Sequence, residues 1–269
     1  MDINKVLYIS QEITPYLPAT PMSELSQKLP QGIQEKGSEV RTFMPKYGLI
    51  KERRNQLHEV IRLSGLNIVI DDTDHPLIIK VATLQPSRMQ VYFIDNEDYF
   101  FRGQSAKDLE IVLSPDDNDE RIMFYARGVV ETVKKLRWDP TLIHCSGWVS
   151  ALAPLYLKCA YSDDPSFANS KIVYSVFDSK FDGTLDPRMK EKLKLDGFSD
   201  EDIASLNENG ADIISLHKLA IDHSDAIVQS SPEIPQEILD YIKESGKPFL
   251  PYPGDTDYVD KYAEFYKSL

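Results

Sequence analysis

The first patterned stretch is KVLYIS at 5–10, an apolar run that turns polar at its end, as a strand buried on both faces does. Met22, Leu25, Leu29 and Ile33 then recur at helical spacing, and Gly37 supplies a stop. EVRTFM at 39–44 follows as a second strand, so the chain opens as a βαβ unit with a right-handed crossover in a parallel sheet. From about 57 to 101 the texture changes. IRLSGLNIVI, PLIIKVATL and MQVYFID are short β-rich runs parted by Gly, Asp and Pro, which predicts a β-rich insertion returning to the sheet at VYFID.

After SPDDND, the residues Ile122, Ala126, Val129, Val130, Val133 and Leu136 share one helical face, with Asp117 or Asn118 placed to cap it. Alternation then resumes. LIHC reads as a strand, 149–159 as a helix, KIVYSVF as a strand and 188–222 as a set of helices. AIVQSS is another strand, 232–244 a helix, FLPY a last short strand and 255–268 a closing helix. No internal repeat, low-complexity tract or Gly/Ser linker interrupts this order. The expected fold class is α/β, a doubly wound Rossmann-like parallel sheet. Residues 1–254 are expected to form one domain carrying the insertion, and 255–269 the closing helix.

Composition narrows the partners more than the fold. Of 269 residues, 42% are apolar and 27% charged, and 14 Tyr with 11 Phe argue for a substantial core rather than disorder. The net charge of −13 repels phosphate backbones and anionic lipids, so neither nucleic acid nor a membrane is expected as a partner. A neutral polymer or a protein is easier to accommodate. MDINKVLYIS lacks the basic, apolar and small-residue regions of a signal peptide, and no apolar run approaches the ~18 residues of a membrane span. Cys145 and Cys159 are too few for a disulfide framework and lack zinc-ligand spacing. The expected compartment is the cytoplasm.

Candidate chemistry concentrates in IHCSGWVSALAPLYLK at 143–158, a strand that ends in a short loop and turns into a helix. Ser146, Gly147 and Val149 give a reaction little to use. His144 beside Cys145 suggests a nucleophile pair, but neighbours on a strand point to opposite faces, which favours a buried thiol and a core imidazole. Asp178 and Asp182 lie beyond a strand end, where paired carboxylates can run glycoside hydrolysis; next to Gly183 they also read as turn residues, the better-supported alternative. DDTDH at 71–75 suggests a metal loop but fits a hairpin turn, and helix capping accounts for SPDDND without an ion. No metal and no cofactor are expected. Glu12, just past the first strand at the edge of the sheet where ligands usually bind, is the best single polar candidate.

Several blocks in order resemble the N-terminal domain of bacterial glycogen and starch synthases, enzymes that use ADP-glucose as donor. They are Glu12-Ile-Thr-Pro15-Tyr16, Leu29-Pro30, Lys36-Gly37 with Val40, and Met44-Pro45-Lys-Tyr47. Tyr92-Phe93-Ile94-Asp95-Asn96 with Tyr99-Phe100 and Arg102, Asp117-Asn118 with Glu120-Arg121-Ile122, and the 143–158 stretch follow. Leu216-His217-Lys218-Leu219-Ala220 through Asp225 and Ser231-Pro232 completes the series. The resemblance implies the N-terminal half of a GT-B glycosyltransferase, with the family's C-terminal domain expected to be absent from this chain. It offers Glu12, Glu24, Ser146, Trp148, Asp178 and Lys218 as substrate-binding positions; no residue is assigned as catalytic.

The departures fall where that family meets its donor. Its K-T-G-G-L loop is here Pro18-Ala19-Thr20-Pro21-Met22, which removes a cation and two glycines that let backbone approach phosphate. The aspartate after it is Glu24. H-C-H-D-W-H has become His144-Cys145-Ser146-Gly147-Trp148-Val149, and I-H-N-x-A-Y-Q-G has become Val176-Phe177-Asp178-Ser179-Lys180-Phe181-Asp182-Gly183. These changes imply a family member that is non-catalytic alone and binds α-glucan, or a protein partner on an exposed interdomain face. The alternative is an active synthase completed by a separately encoded C-terminal half.

Overall fold

The computed structural model describes residues 4–101 and 117–269. Arg102 and positions 114–116 of SPDDND lie outside the described residues. The βαβ opening is present as β1 (Lys5–Ser10), α1 (Pro21–Glu35) and β2 (Glu39–Pro45), with the strands paired in parallel from Lys5↔Glu39 to Ile9↔Phe43. α1 starts sharply. Thr20 caps it through its hydroxyl, Ser23 bonds back to the Thr20 N–H, and Pro21 fills the first turn where no N–H is needed.

The short helix α2 (Glu52–Asn55) follows, and the β-rich stretch contains β3 (His58–Glu59), β4 (Leu66–Ile70) and β5 (Thr73–Leu84). β4 and β5 form an antiparallel hairpin whose tip carries Asp71 and Asp72 in left-handed backbone, so DDTDH is a turn. β6 (Met89–Asp95) pairs antiparallel with β5 and parallel with β2, which returns the chain to the main sheet. The helix α3 (Glu97–Phe100) follows, capped by Asn96.

α4 (Asn118–Leu136) buries the apolar face read from the sequence, but its start differs from expectation. Neither Asp117 nor Asn118 caps it: Asp117 makes no side-chain capping bond, and the Asn118 carbonyl oxygen accepts from Arg121 at 2.8 Å instead. Asp119 and Glu120 reach the buried ammonium of Lys192 at 2.8 and 2.7 Å. β7 (Leu142–Ser146) leads into a second departure. The expected helix at 149–159 is a 3₁₀ turn at Trp148–Ser150, one α turn, α5 (Leu152–Leu155), and a π turn at Tyr156–Ala160. β8 (Lys171–Val176), α6 (Met189–Leu195), α7 (Ile213–Asp222), β9 (Ala226–Gln229), α8 (Gln236–Ser245), β10 (Phe249–Leu250) and α9 (Tyr258–Ser268) complete the order.

The sheet runs β10-β9-β8-β7-β1-β2-β6-β5-β3, with β4 hung on β5. From β10 to β6 every pairing is parallel. The order reverses direction at β1, where one branch leads to β2 and the other to β7, and ligand crevices of doubly wound sheets open at such a point. α4, α5, α7 and α8 pack in succession on one face, while α1 and α9 contact each other on the opposite face. Side chains alternate accordingly. Tyr174 points to α7 and pairs with His217 at 2.8 Å, whereas His144 points to α9 and meets the Tyr266 hydroxyl. Fully buried Phe43, Phe93, Val91 and Ile143 fill the sheet's centre, each contributing on the order of 1.5–3 kcal/mol.

Candidate active site

Beyond the carboxyl ends of β1 and β7, the backbone of Gln11 donates to the Ser146 carbonyl at 3.1 Å, so the two strands stay joined past their last paired residues. Gln11 was not among the residues the sequence singled out. Its side chain is buried and ties the loops together: Nε2 donates to Ser179 Oγ at 3.3 Å, and Oε1 accepts from the Val149 N–H at 3.4 Å. Its carbonyl takes the Tyr47 hydroxyl at 3.0 Å. The only sequence signal was its position between a strand end and Glu12.

Gly147 shows why no larger residue stands there. Its φ is +81°, and a Cβ would lie 2.7 Å from Gln11 Oε1 and 3.0 Å from the Met22 thioether. An aspartate here, as in the family the sequence resembles, would be strained at this φ and would require the Gln11 amide and the Met22 side chain to shift. Ser146, 6% exposed, offers its carbonyl to Gln11. Trp148 is 1% exposed and packs edge-on against Phe181 with centroids 5.0 Å apart, which leaves no indole face for a ligand to stack on.

Glu12 is half-buried and accepts from the Thr20 hydroxyl; the start of α1 therefore carries the chain's own carboxylate. Burial holds the Glu12 carboxyl above its ordinary range, against the pull of the Thr20 hydroxyl and the Ser23 N–H. Glu24 lies one turn into α1 and pairs with Lys28 at 2.7 Å, both about half exposed. Asp178 is exposed, its N–H donating to Ser231 Oγ at 2.8 Å, and Asp182 is exposed beside Gly183. Lys218 is held by Glu237 at 2.6 Å and lies over the Tyr241 ring, so its charge is committed to α8. Glu12 and Ser146 thus stand at the carboxyl ends of β1 and β7 and Trp148 is packed in the turn after β7, whereas Lys218 is engaged by another helix.

Sequence reasoning also passed over two cations. Lys46, at the end of β2, is 3% exposed and pairs with Glu52 at 3.2 Å. Arg121, 3% exposed, bonds Asn118 and lies 5.6 Å from the centre of the Phe100 ring. Both stand inside the motifs quoted above, which was the available signal. His144 and Cys145 are buried on opposite faces: burial pushes the imidazole down to about 3 and the thiol up. Neither is poised as a nucleophile or its base at neutral pH. Among the described residues, no group of three or more His, Cys, Asp or Glu side chains is placed to hold a metal ion, and no helix is long and apolar enough to cross a membrane.

The starch synthase catalytic domain family matches residues 5–247. A glycogen synthase of Chlorobaculum parvum is 33% identical over 234 residues, covering 87% of this chain and 47% of that protein. One of Chlorobium chlorochromatii is 35% identical over 229 residues, covering 85% of this chain and 46% of its own length. Among solved structures, the catalytic domain of starch synthase IV from Arabidopsis thaliana, bound to ADP and acarbose, superposes with a TM-score of 0.75 at 17% identity. That alignment covers 93% of this chain and 51% of the plant domain, which establishes the shared GT-B fold. The chain spans about half the length of the curated relatives it matches. With its mostly parallel sheet and a family match over nearly all its length, this chain belongs to the starch synthase catalytic domain family.

Proposed function

We propose that this chain does not transfer glucose on its own and instead serves, in the cytoplasm, as an accessory member of its family that binds α-glucan. The observation that carries this reading is the start of α1. Transfer of glucose from a sugar nucleotide leaves a diphosphate whose charge must be met by cations or by free N–H groups in a water-poor cleft. Here position 18 is proline, Pro21 has no N–H, the Ser23 N–H is bonded to Thr20, and the Glu12 carboxylate lies alongside. Lys46 and Arg121 are engaged by Glu52 and Asn118. Removing a single electrostatic donor of this kind costs on the order of 10²–10³ in rate, and here several are altered together.

A second reading is favoured by the coverage. Because the matched relatives are about twice as long, a separately supplied half could complete an active synthase. One assay addresses both readings, measuring incorporation of radiolabelled glucose from ADP-glucose into glycogen. The chain alone is expected to give none above background, and turnover by it alone would overturn the proposal. Turnover only when a second chain is added would favour the second reading. Retardation on glycogen-containing native gels tests the binding role directly, and unaltered mobility would remove it.

A further inference from the structure

α6 is fastened to α4 by a buried cluster that holds more acid than base. Lys192, 2% exposed, donates to Asp119 at 2.8 Å, to Glu120 at 2.7 Å and to Asp186 at 2.9 Å, so three carboxylates share one ammonium. The nearby guanidinium of Arg188 is engaged elsewhere, by Asp71 at the hairpin tip and by Glu191. Asp119 is fully buried, and its Oδ1 has no hydrogen-bond partner among the described residues. A buried carboxylate oxygen left unpaired beside two other carboxylates is costly for as long as it is charged. What the cluster holds bears on the candidate active site. The segment between β8 and α6 supplies Asp186 to it, and also carries Ser179, which accepts from Gln11 at 3.3 Å, and Phe181, which packs on Trp148.

We propose that this cluster is a proton-responsive clasp: Asp119 takes up one proton as pH falls below neutrality, and that proton tightens α6 and the segment before it onto α4. Lys192 faces Asp119 from α6, Asp186 from the segment before it, and Glu120 from α4 itself, with Asp117 just ahead on the chain and Arg121 bonded to Asn118. Beyond Glu120, Tyr99 of α3 donates to it at 2.9 Å and meets Nε2 of His75, from β5, at 2.9 Å, with Asp98 3.9 Å from that imidazole. Burial raises the Asp119 carboxyl from 3.8 to about 6, against the pull of Lys192 and of the Glu120 N–H. Above 6 the group is charged whether α6 is docked or open. Between 6 and 3.8 only the docked form keeps the proton, so docking strengthens as pH falls through this window and levels off below it.

The test is carboxyl-carbon NMR of the whole chain carrying carbon-13-labelled aspartate, titrated from about pH 8 to about pH 5. The Asp119 signal is identified by its loss in Asp119→Asn, and its midpoint is expected near 6. A signal that stays that of a charged carboxylate down to about pH 5 would overturn the proposal. Amide hydrogen exchange gives a second measurement that needs no variant to fold. Protection of the α6 amides, corrected for the intrinsic rate at each pH, should rise about tenfold relative to α7 between about pH 7.5 and about pH 5. A ratio that stays constant or falls would overturn the clasp. A rise kept in Asp119→Asn and lost in His75→Gln would assign the proton to the imidazole, and would overturn it equally.

Discussion

His144 is the residue whose surroundings most restrict its chemistry. It is fully buried, with Nδ1 against the Tyr266 hydroxyl and Nε2 2.5 Å from Ser175 Oγ, and tyrosine rings pack on both sides. Burial lowers its pKa from 6.5 to about 3. An unfolded chain binds a proton here as pH falls through 6.5, whereas the folded protein does so only near 3. The associated stability is therefore complete above 6.5 and is lost as pH falls toward 3. A His144→Asn variant lacks this linkage and should be less stable than wild type at neutral pH. The difference should narrow by ~2 kcal/mol between pH 6.5 and about 5, as read by urea denaturation at each pH. A constant difference would mean that the imidazole is already charged in the folded protein. The sequence identified His144 as a core histidine but could not supply these partners, since Ser175 and Tyr266 come from distant segments.

Among the elements, α1 and α9 depend on one small residue. A Cβ on Gly32 would lie 2.5 Å from a Val259 methyl, so the two helices cross closely where glycine leaves room. Gly32→Ala would gain about 1 kcal/mol of helix propensity in isolation, yet the clash is expected to cost about 1–3 kcal/mol net. Adding Val259→Ala should recover much of that loss, with a coupling of at least ~1 kcal/mol in thermal or chemical denaturation. Additive effects would show that the helices separate without penalty. Elements with strong apolar spacing, β1, α1, β2 and α4, were legible from sequence. The 3₁₀, α and π turns after β7 were not, because periodicity alone does not report hydrogen-bond spacing and because Pro154 interrupts the ladder there. The cap of α4 was misread for a different reason, since Arg121 takes the Asn118 oxygen that would have served it.

On the scale of the whole molecule, the alternation of strands and helices gave the α/β class, and the β-rich texture of 57–101 gave the antiparallel strands β3, β4 and β5. The position of α9 could not be read locally. α4, α5, α7 and α8 pack in succession on one face, and α9 covers Tyr8 and His144 on the other, joining positions more than a hundred residues apart. A pocket of about 430 Å³ between the first turns of α1 and the segment joining β10 to α9 was hidden for the same reason, as its walls come from opposite ends of the chain. Because α9 shares its buried surface with β1 and β7, we expect far-ultraviolet and aromatic circular dichroism to report one coincident unfolding transition. Amide hydrogens of α9 should then exchange as slowly as those of β1, and much faster exchange would mark 255–269 as a separate folding unit.

The carboxylate lodged beside Thr20 bears on any attempt to graft phosphate handling onto this crevice. A lysine introduced at position 18 would find a negative group already resident at the helix start, and would tend to neutralise that group before it met a ligand. Adding a positive side chain would therefore not be enough. The resident acid would first have to be rehoused, and the helix start rebuilt without its proline, before an incoming anion encountered free donors.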